Sequence, residues 1–282
     1  MKKTTSQNSE FEEEVRAGLT DFPKHLSSKF FYDKKGDKLF QEIMNLPDYY
    51  LTNCEFDILK KHTGAIAEAF TGPQGFDLIE LGAGDGKKTK ILLKYLSEKN
   101  TDFNYLPIDI SQNVLDELEI SLKKELPHVK VKTQQGSYFK VLANLASYDN
   151  RKKVIMMLGS NIGNLLHPQA IDFLRHIQNA MNSEDMLFMG FDQKKNPQKI
   201  LNAYNDPTNV TEAFNKNILV RINTEMDADF KPDSFLHWPV YDPETGTAKS
   251  FLVSKIEQEV KVKKLNLLVH FNAWESIHTE IS

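Results

Sequence analysis

The stretch FDLIELGAGDG, residues 76–86, decides the fold. Its first six residues, Phe76–Leu81, are an apolar run of strand length. Three glycines follow, Gly82, Gly84 and Gly86, and a helical pattern begins at once over Lys87–Leu96. Glycine lets the backbone turn tightly and lets a ligand approach with no Cβ in the way. A helix starting there aims unpaired N–H groups at the same ligand. Asp109 lies near the end of the next apolar run, Phe103–Ile110 (FNYLPIDI), where a carboxylate can accept both hydroxyls of an adenosine ribose. Asp109 would serve equally as a helix N-cap, but Ser111 can do that work and leave it free.

The loop's chemistry narrows the ligand. The spacing is G-x-G-x-G, and Lys87 stands where a dinucleotide fingerprint has its last glycine. Glu80 leads into the loop. A pyrophosphate is not favoured beside a carboxylate, whereas a sulfonium or an amino group is. S-adenosylmethionine carries both, so the residues favour a methyltransferase over a nicotinamide-dependent oxidoreductase.

Outward from this loop, strand and helix patterns alternate. Helix Gln112–Leu126, a weaker strand Val129–Thr133, strand Lys153–Leu158, helix Pro168–Met181 and strand Met186–Phe191 follow in order. Such alternation predicts βαβ units and a parallel sheet, covered on both faces because its strands are almost continuously apolar. Before it, Lys38–Leu46 and Asn53–Phe70 read as helices, with Thr52 or Asn53 as N-cap, and the first ten residues as a loose polar start. After Asn196 the alternation breaks. Pro197–Tyr204 and Val210–Asn217 read as helices; Phe251–Val262 and Lys264–Phe271 carry the period-two pattern of antiparallel strands. The predicted organisation is a Rossmann-like core over 71–195, with 1–70 and 196–282 forming a second, discontinuous domain of N-terminal helices and a late α+β insertion.

Composition sets outer bounds. The chain has 282 residues, 40% hydrophobic and 26% charged, the profile of a folded globular protein rather than a disordered or fibrous one. No apolar run is long enough to span a membrane, and the start, MKKTTSQNSEFEEE, has no apolar segment of a secretory signal. A net charge of -4 argues against nucleic acid as a partner. The single cysteine, Cys54, allows no intrachain disulfide, and the eight histidines have no H-x-x-x-H or H-E-x-x-H spacing, so no metal is expected. These features predict a cytoplasmic protein.

Longer strings are more specific. FFYDKKGDKLFQEIMNLPDYYLTNCE (30–55), LIELGAGDGKKTKILL (78–93), YLPIDIS (105–111), LGSNIGN (158–164), AYNDP (203–207), AFNKNILVRIN (213–223) and IHTEIS (277–282) occur in this order. Together they resemble the histidine-specific, S-adenosylmethionine-dependent methyltransferase family, which forms hercynine on the way to ergothioneine. The resemblance runs from about residue 24 to Ser282. It implies a Rossmann-type class I methyltransferase domain plus a second domain, and methylation of the α-amino nitrogen of an amino acid, histidine first. It further implies Glu80, Gly82, Gly84, Lys88, Asp109 and Ser137 around the cofactor. Tyr32 and Tyr49 face the substrate's amino and carboxylate end, with Tyr32 the nearest candidate for a catalytic role. Gly159, Asn164 and Tyr204 grip that end, and Glu280 and Ser282 read the imidazole.

The sequence departs from this pattern at three places. Ser137 stands where the family has an acidic residue toward the adenine, and a hydroxyl bonds an amino group less strongly than a carboxylate. Ser250 stands where a methionine packs on the imidazole, which changes the pocket wall and with it the substrate. Family members continue past the position of Ser282 through a helix and two further strands. Ending at Ser282 leaves a sheet edge to protect and a terminus expected to fray. From this follow the expectations of a monomer, or a dimer that completes the short sheet, and the alternative of a truncated or degenerate relative that binds cofactor without turnover.

Overall fold

Strands buried on both faces are mostly apolar, and the strand Phe76–Leu81 (β1) is buried at every position, its acids Asp77 and Glu80 included. A computed structural model describes residues 4–138, 141–142 and 151–282. The chain folds as two units, residues 50–192 and residues 1–49 with 193–282.

In the unit 50–192, β1 pairs in parallel with Phe103–Asp109 (β2) and Lys152–Met157 (β5). Beyond β2 lie the short strands Lys130–Val131 (β3) and Gln134–Gln135 (β4); beyond β5 lies Met186–Met189 (β6). The strand order is β3-β2-β1-β5-β6, and the parallel sheet and the α/β class are as expected. Helices Tyr50–Phe70 (α3), Thr89–Glu98 (α4), Gln112–Glu125 (α5) and His167–Asn179 (α6) cover it. Leu59 and Phe70 of α3 and Leu92, Leu93 and Leu96 of α4 pack on Phe76, Leu78, Val154 and Met156. Phe173 and Ile177 of α6 pack on Ile79, Leu81, Ile155 and Met157.

Segment 50–70, joined by pattern to the N-terminal helices, belongs to this unit because its buried face, Leu59, Thr63, Ala67 and Phe70, meets the sheet's apolar core. α3 starts at Tyr50, ahead of either N-cap read from the sequence. Among the described residues β6 has no strand on its outer edge.

The other unit gathers helices Thr4–Thr20 (α1), Lys34–Met44 (α2), Pro197–Ala203 (α7) and Val210–Met226 (α8) with strands Phe235–Asp242 (β7), Thr247–Ser254 (β8), Gln258–Val262 (β9), Leu267–Phe271 (β10) and Ser276–Ile281 (β11). β7, β8 and β11 form an antiparallel sheet with β8 central; β9 and β10 form a hairpin. Their common core includes Phe11, Val15, Phe31, Phe214, Ile218, Ile222, Leu252 and Ile277. The loose polar start is instead helical from Thr4, because Phe11, Val15 and Leu19 recur on one face and bury in that core. Phe251–Val262 is not one strand: a turn at Lys255–Glu257 separates β8 from β9.

β11 carries a bulge. His278 pairs with Phe251 and Glu280 with Ser250, so Thr279 is skipped in the register with β8, while its hydroxyl lies 3.1 Å from the Ser250 carbonyl. Beyond it, Ser282 does not fray. Its N–H donates to the Ala248 carbonyl (2.8 Å), and its own carbonyl accepts from Ala248 N–H (2.7 Å).

Candidate functional site

The glycine loop sits in the unit 50–192, where β1 ends and α4 begins. Gly82, Gly84 and Gly86 all have positive φ, at 76°, 55° and 65°. At Gly82 a Cβ would fall 2.5 Å from Asn161 Nδ2 and from the Tyr138 hydroxyl. At Gly84 it would meet nothing within 4 Å, so this backbone is open to a ligand.

Asp109 closes the loop onto β2. Its Oδ2 accepts from Gly84 N–H (3.1 Å) and its Oδ1 from Ser111 N–H (3.0 Å). Burial raises its pKa against the pull of those bonds. Ser111 caps α5 by accepting from Val114 N–H (3.3 Å), so the cap and the acid are separate residues. Each Asp109 oxygen keeps acceptor capacity for a ribose hydroxyl. Together with the bare Gly84 backbone, this fits the adenosine of S-adenosylmethionine.

Glu80 takes a different place from an exposed contact. It is 2% exposed; Thr89 Oγ1 donates to its Oε1 (2.6 Å) and the Tyr105 hydroxyl to its Oε2. Burial pushes its pKa up to about 7, opposed by those bonds and the nearby Lys88. It holds β1, β2 and α4 together beneath the loop. Ser137 accepts Val141 N–H at its carbonyl (3.2 Å) just beyond β4, beside Tyr138, whose phenol burial pushes up.

Lys88 forms an ion pair with Glu55 of α3. Sequence reading did not single out Glu55, which belongs to no motif used for chemistry. Both its oxygens accept from Gly159 N–H, at 2.7 and 2.9 Å. Gly190 makes room for this carboxylate: a Cβ there would lie 2.2 Å from Glu55 Oε1. Gly159 and Ser160 both have positive φ, and the turn Asn161–Asn164 follows. The Ser160 hydroxyl accepts from Asp192 N–H (3.1 Å), and the Tyr50 hydroxyl donates to Asp192 Oδ2. Thus Glu55 ties the loop bearing Gly159 and Asn164 to the lysine at the glycine loop.

The remaining expected residues lie in the other unit. Tyr32 and Tyr49 are half-buried beside Phe40: Tyr32 and Phe40 meet edge to face at 5.5 Å, Phe40 and Tyr49 at 6.4 Å. Asp33, which follows Tyr32, caps α2 by accepting from Lys35 N–H and Gly36 N–H. Tyr204, at the end of α7, donates its hydroxyl to Ser282 Oγ (2.7 Å). Ser250 is buried on β8 and hydrogen-bonds Glu280. Asn215 Nδ2, from α8, also donates to Glu280 (3.2 Å). Burial raises the Glu280 pKa, and those two uncharged donors restrain it. Tyr204, Ser250, Glu280 and Ser282 therefore converge on one end of the antiparallel sheet. Asn215 was missed because an asparagine inside a helical pattern carries no signal of its own.

A model of the family described as "Histidine-specific methyltransferase, SAM-dependent" matches residues 11–282. The histidine N-alpha-methyltransferase of Mycolicibacterium smegmatis is 34% identical over 270 residues, 95% of this chain and 82% of that protein. Ergothioneine biosynthesis protein 1 of Schizosaccharomyces pombe is 32% identical, over 90% of this chain and 35% of that protein. The 4-dimethylallyltryptophan N-methyltransferase of Claviceps fusiformis is 28% identical, over 68% of this chain and 56% of that protein.

Proposed function

The chain belongs to the histidine-specific, S-adenosylmethionine-dependent methyltransferase family, and on that premise we propose that it methylates the α-amino nitrogen of L-histidine. The observation that carries this reading is the family match along residues 11–282, which takes in both units. When bound, S-adenosylmethionine supplies an electrophilic methyl group on a sulfonium.

The protein's own contribution is position and a polar, water-poor setting. Asp109 and the Gly82–Gly86 backbone hold the adenosine, and Lys88 the cofactor's carboxylate, at the cost of sharing its charge with Glu55. In the unit 50–192, Asn164 and the Gly159 backbone are the family's expected contacts for the amino acid's polar end; in the other unit, Tyr204, Tyr32 and Tyr49 are. Neutral acceptors suit this work, because the amine must be uncharged to attack and an amide or phenol oxygen holds it without fixing a proton on it. We infer no dedicated general base; Tyr32 is the nearest candidate for a catalytic role, its oxygen orienting the amine as a hydrogen-bond acceptor. Glu280 accepts from an imidazole N–H, while Ser282, oriented by Tyr204, serves the other ring nitrogen.

Incubation with methyl-labelled S-adenosylmethionine and a panel of amino acids, tryptophan derivatives included, tests the proposal. Label in histidine is the expected result. Transfer to another amino acid alone would move the substrate and implicate the Ser250 wall; cofactor binding with no transfer to any would select the degenerate relative.

A further inference from the structure

Asn215 lies in the middle of α8 and is fully buried. Asparagine favours neither a helix interior nor an apolar environment, and a buried amide left unbonded is costly. Here the amide is fully employed. Its Nδ2 donates to Glu280 Oε2 (3.2 Å) and to the Thr211 carbonyl (3.3 Å), and its Oδ1 accepts from Thr279 Oγ1 (2.8 Å). The flipped amide would set its oxygen against the Glu280 carboxylate and the Thr211 carbonyl, acceptor facing acceptor, so these two acceptors fix which way Asn215 points. The Thr279 hydroxyl, which also lies 3.1 Å from the Ser250 carbonyl, fills the amide's remaining bond.

Thr279 and Glu280 are consecutive, and in a regular strand they would project from opposite faces. The bulge at Thr279 removes that alternation, and both side chains reach the same asparagine. Ser250 provides the second bond to Glu280 from β8. Lys249, next to Ser250 on the strand, projects from the other face and acts on His278. The groups bonded to Glu280 from the neighbouring elements are thus uncharged.

We propose that Asn215 and the bulge at Thr279 form one positioning device, which aims the Glu280 carboxylate at the substrate side chain and keeps it an acceptor. The device rests on the reading of Glu280 as the residue that meets the imidazole. Asn215 is fully buried and spends its amide on Glu280, Thr211 and Thr279, so its role is that of a positioning residue acting through Glu280.

The test compares wild type with Asn215→Leu and Thr279→Val. Each protein, saturated with S-adenosylhomocysteine, is titrated calorimetrically with L-histidine across a pH series, and its KM and kcat are measured. A donor to a carboxylate favours the ionised form, so losing the Asn215 donor lets Glu280 keep its proton to higher pH. The acid limb of histidine binding should therefore move to higher pH in Asn215→Leu, and the histidine Kd should rise about tenfold or more above the limb. KM should rise with it, while kcat and the affinity for S-adenosylhomocysteine stay near wild type. Thr279→Val, which leaves the Asn215 carbonyl oxygen unbonded and removes the hydroxyl's bond to the Ser250 carbonyl but keeps the Asn215 donor to Glu280, should shift both quantities the same way by less. An unmoved acid limb and unchanged histidine Kd in the folded variants would overturn the device. If Asn215→Leu does not fold, Thr279→Val decides alone by the same criterion. Failure of the wild type to bind histidine would instead overturn the functional reading beneath it.

Discussion

Gly82 and Gly84 share a backbone conformation but not a neighbourhood, and the difference separates stability from binding. Alanine at position 82 must hold φ near 76° and press on Asn161 and Tyr138 at once. Gly82→Ala should cost about 1–3 kcal/mol of stability as well as cofactor affinity. At position 84 the added methyl enters open space, so Gly84→Ala should cost only about 1–2 kcal/mol for its backbone. It should still weaken S-adenosylhomocysteine binding by occupying the ligand's approach. Thermal melts with and without S-adenosylhomocysteine check both; equal ligand-induced stabilisation in Gly84→Ala and wild type would exclude Gly84 from the site. At this scale the candidate cofactor loop was legible, because three glycines of positive φ and an acid at the next strand end stand out in the chain. Glu55 and Asn215 were not. Their partners, Gly159 across 104 residues and Glu280 across 65, come together only through the fold.

Among the elements, α8 bonds two groups of candidate residues. Asn215 reaches Glu280 on β11, while Asn217 Nδ2 donates to Asp33 Oδ1 (2.9 Å), the cap of α2 next to Tyr32. The start of α8 is held by Asp206, which accepts from Val210 N–H (3.0 Å) and Thr211 N–H (2.7 Å). Burial alone would raise the Asp206 pKa, but its hydrogen bonds outweigh that and hold it at about 2. Asp206→Ala should cost about 1–2 kcal/mol, read as a lowered Tm. Because the folded pKa lies below the ordinary value of 3.8, that stabilisation is present above pH 4 and is lost as pH falls toward 2. The gap between variant and wild type should close over that range, and a constant gap would assign the loss to something other than the carboxylate. Regular elements such as β1, β5 and α5 were legible because burial on fixed faces imposes a fixed period. β7 and β11 escaped detection: Pro239 and His237 dilute the first pattern, and the bulge at Thr279 breaks the alternation of the second.

On the scale of the whole molecule, the unit 50–192 is one continuous segment, whereas the other draws on both flanks of it. The division was read as lying near residues 71 and 195; α3 shifts the first boundary because its apolar face is needed by the parallel sheet. A continuous unit can order itself without waiting for distant chain, so amides of β1, β2 and β5 should gain protection no later than those of β8 and β11 during refolding. Pulsed hydrogen exchange reads the order, and earlier protection of β8 and β11 would refute it.

The bond from the Tyr50 hydroxyl to Asp192 acquires a further meaning in this light. It joins the first and last residues of the continuous unit. The entropy lost in closing a flexible loop grows with the logarithm of its length. Once Tyr50 and Asp192 are clasped, the strand of chain ending at Tyr49 and the one starting at Gln193 emerge from neighbouring points. For the discontinuous unit, an insertion of well over a hundred residues then counts as little more than a tight turn. Topologically, one unit is inserted in the chain of the other, and Tyr50 and Asp192 draw the two ends of that insertion together.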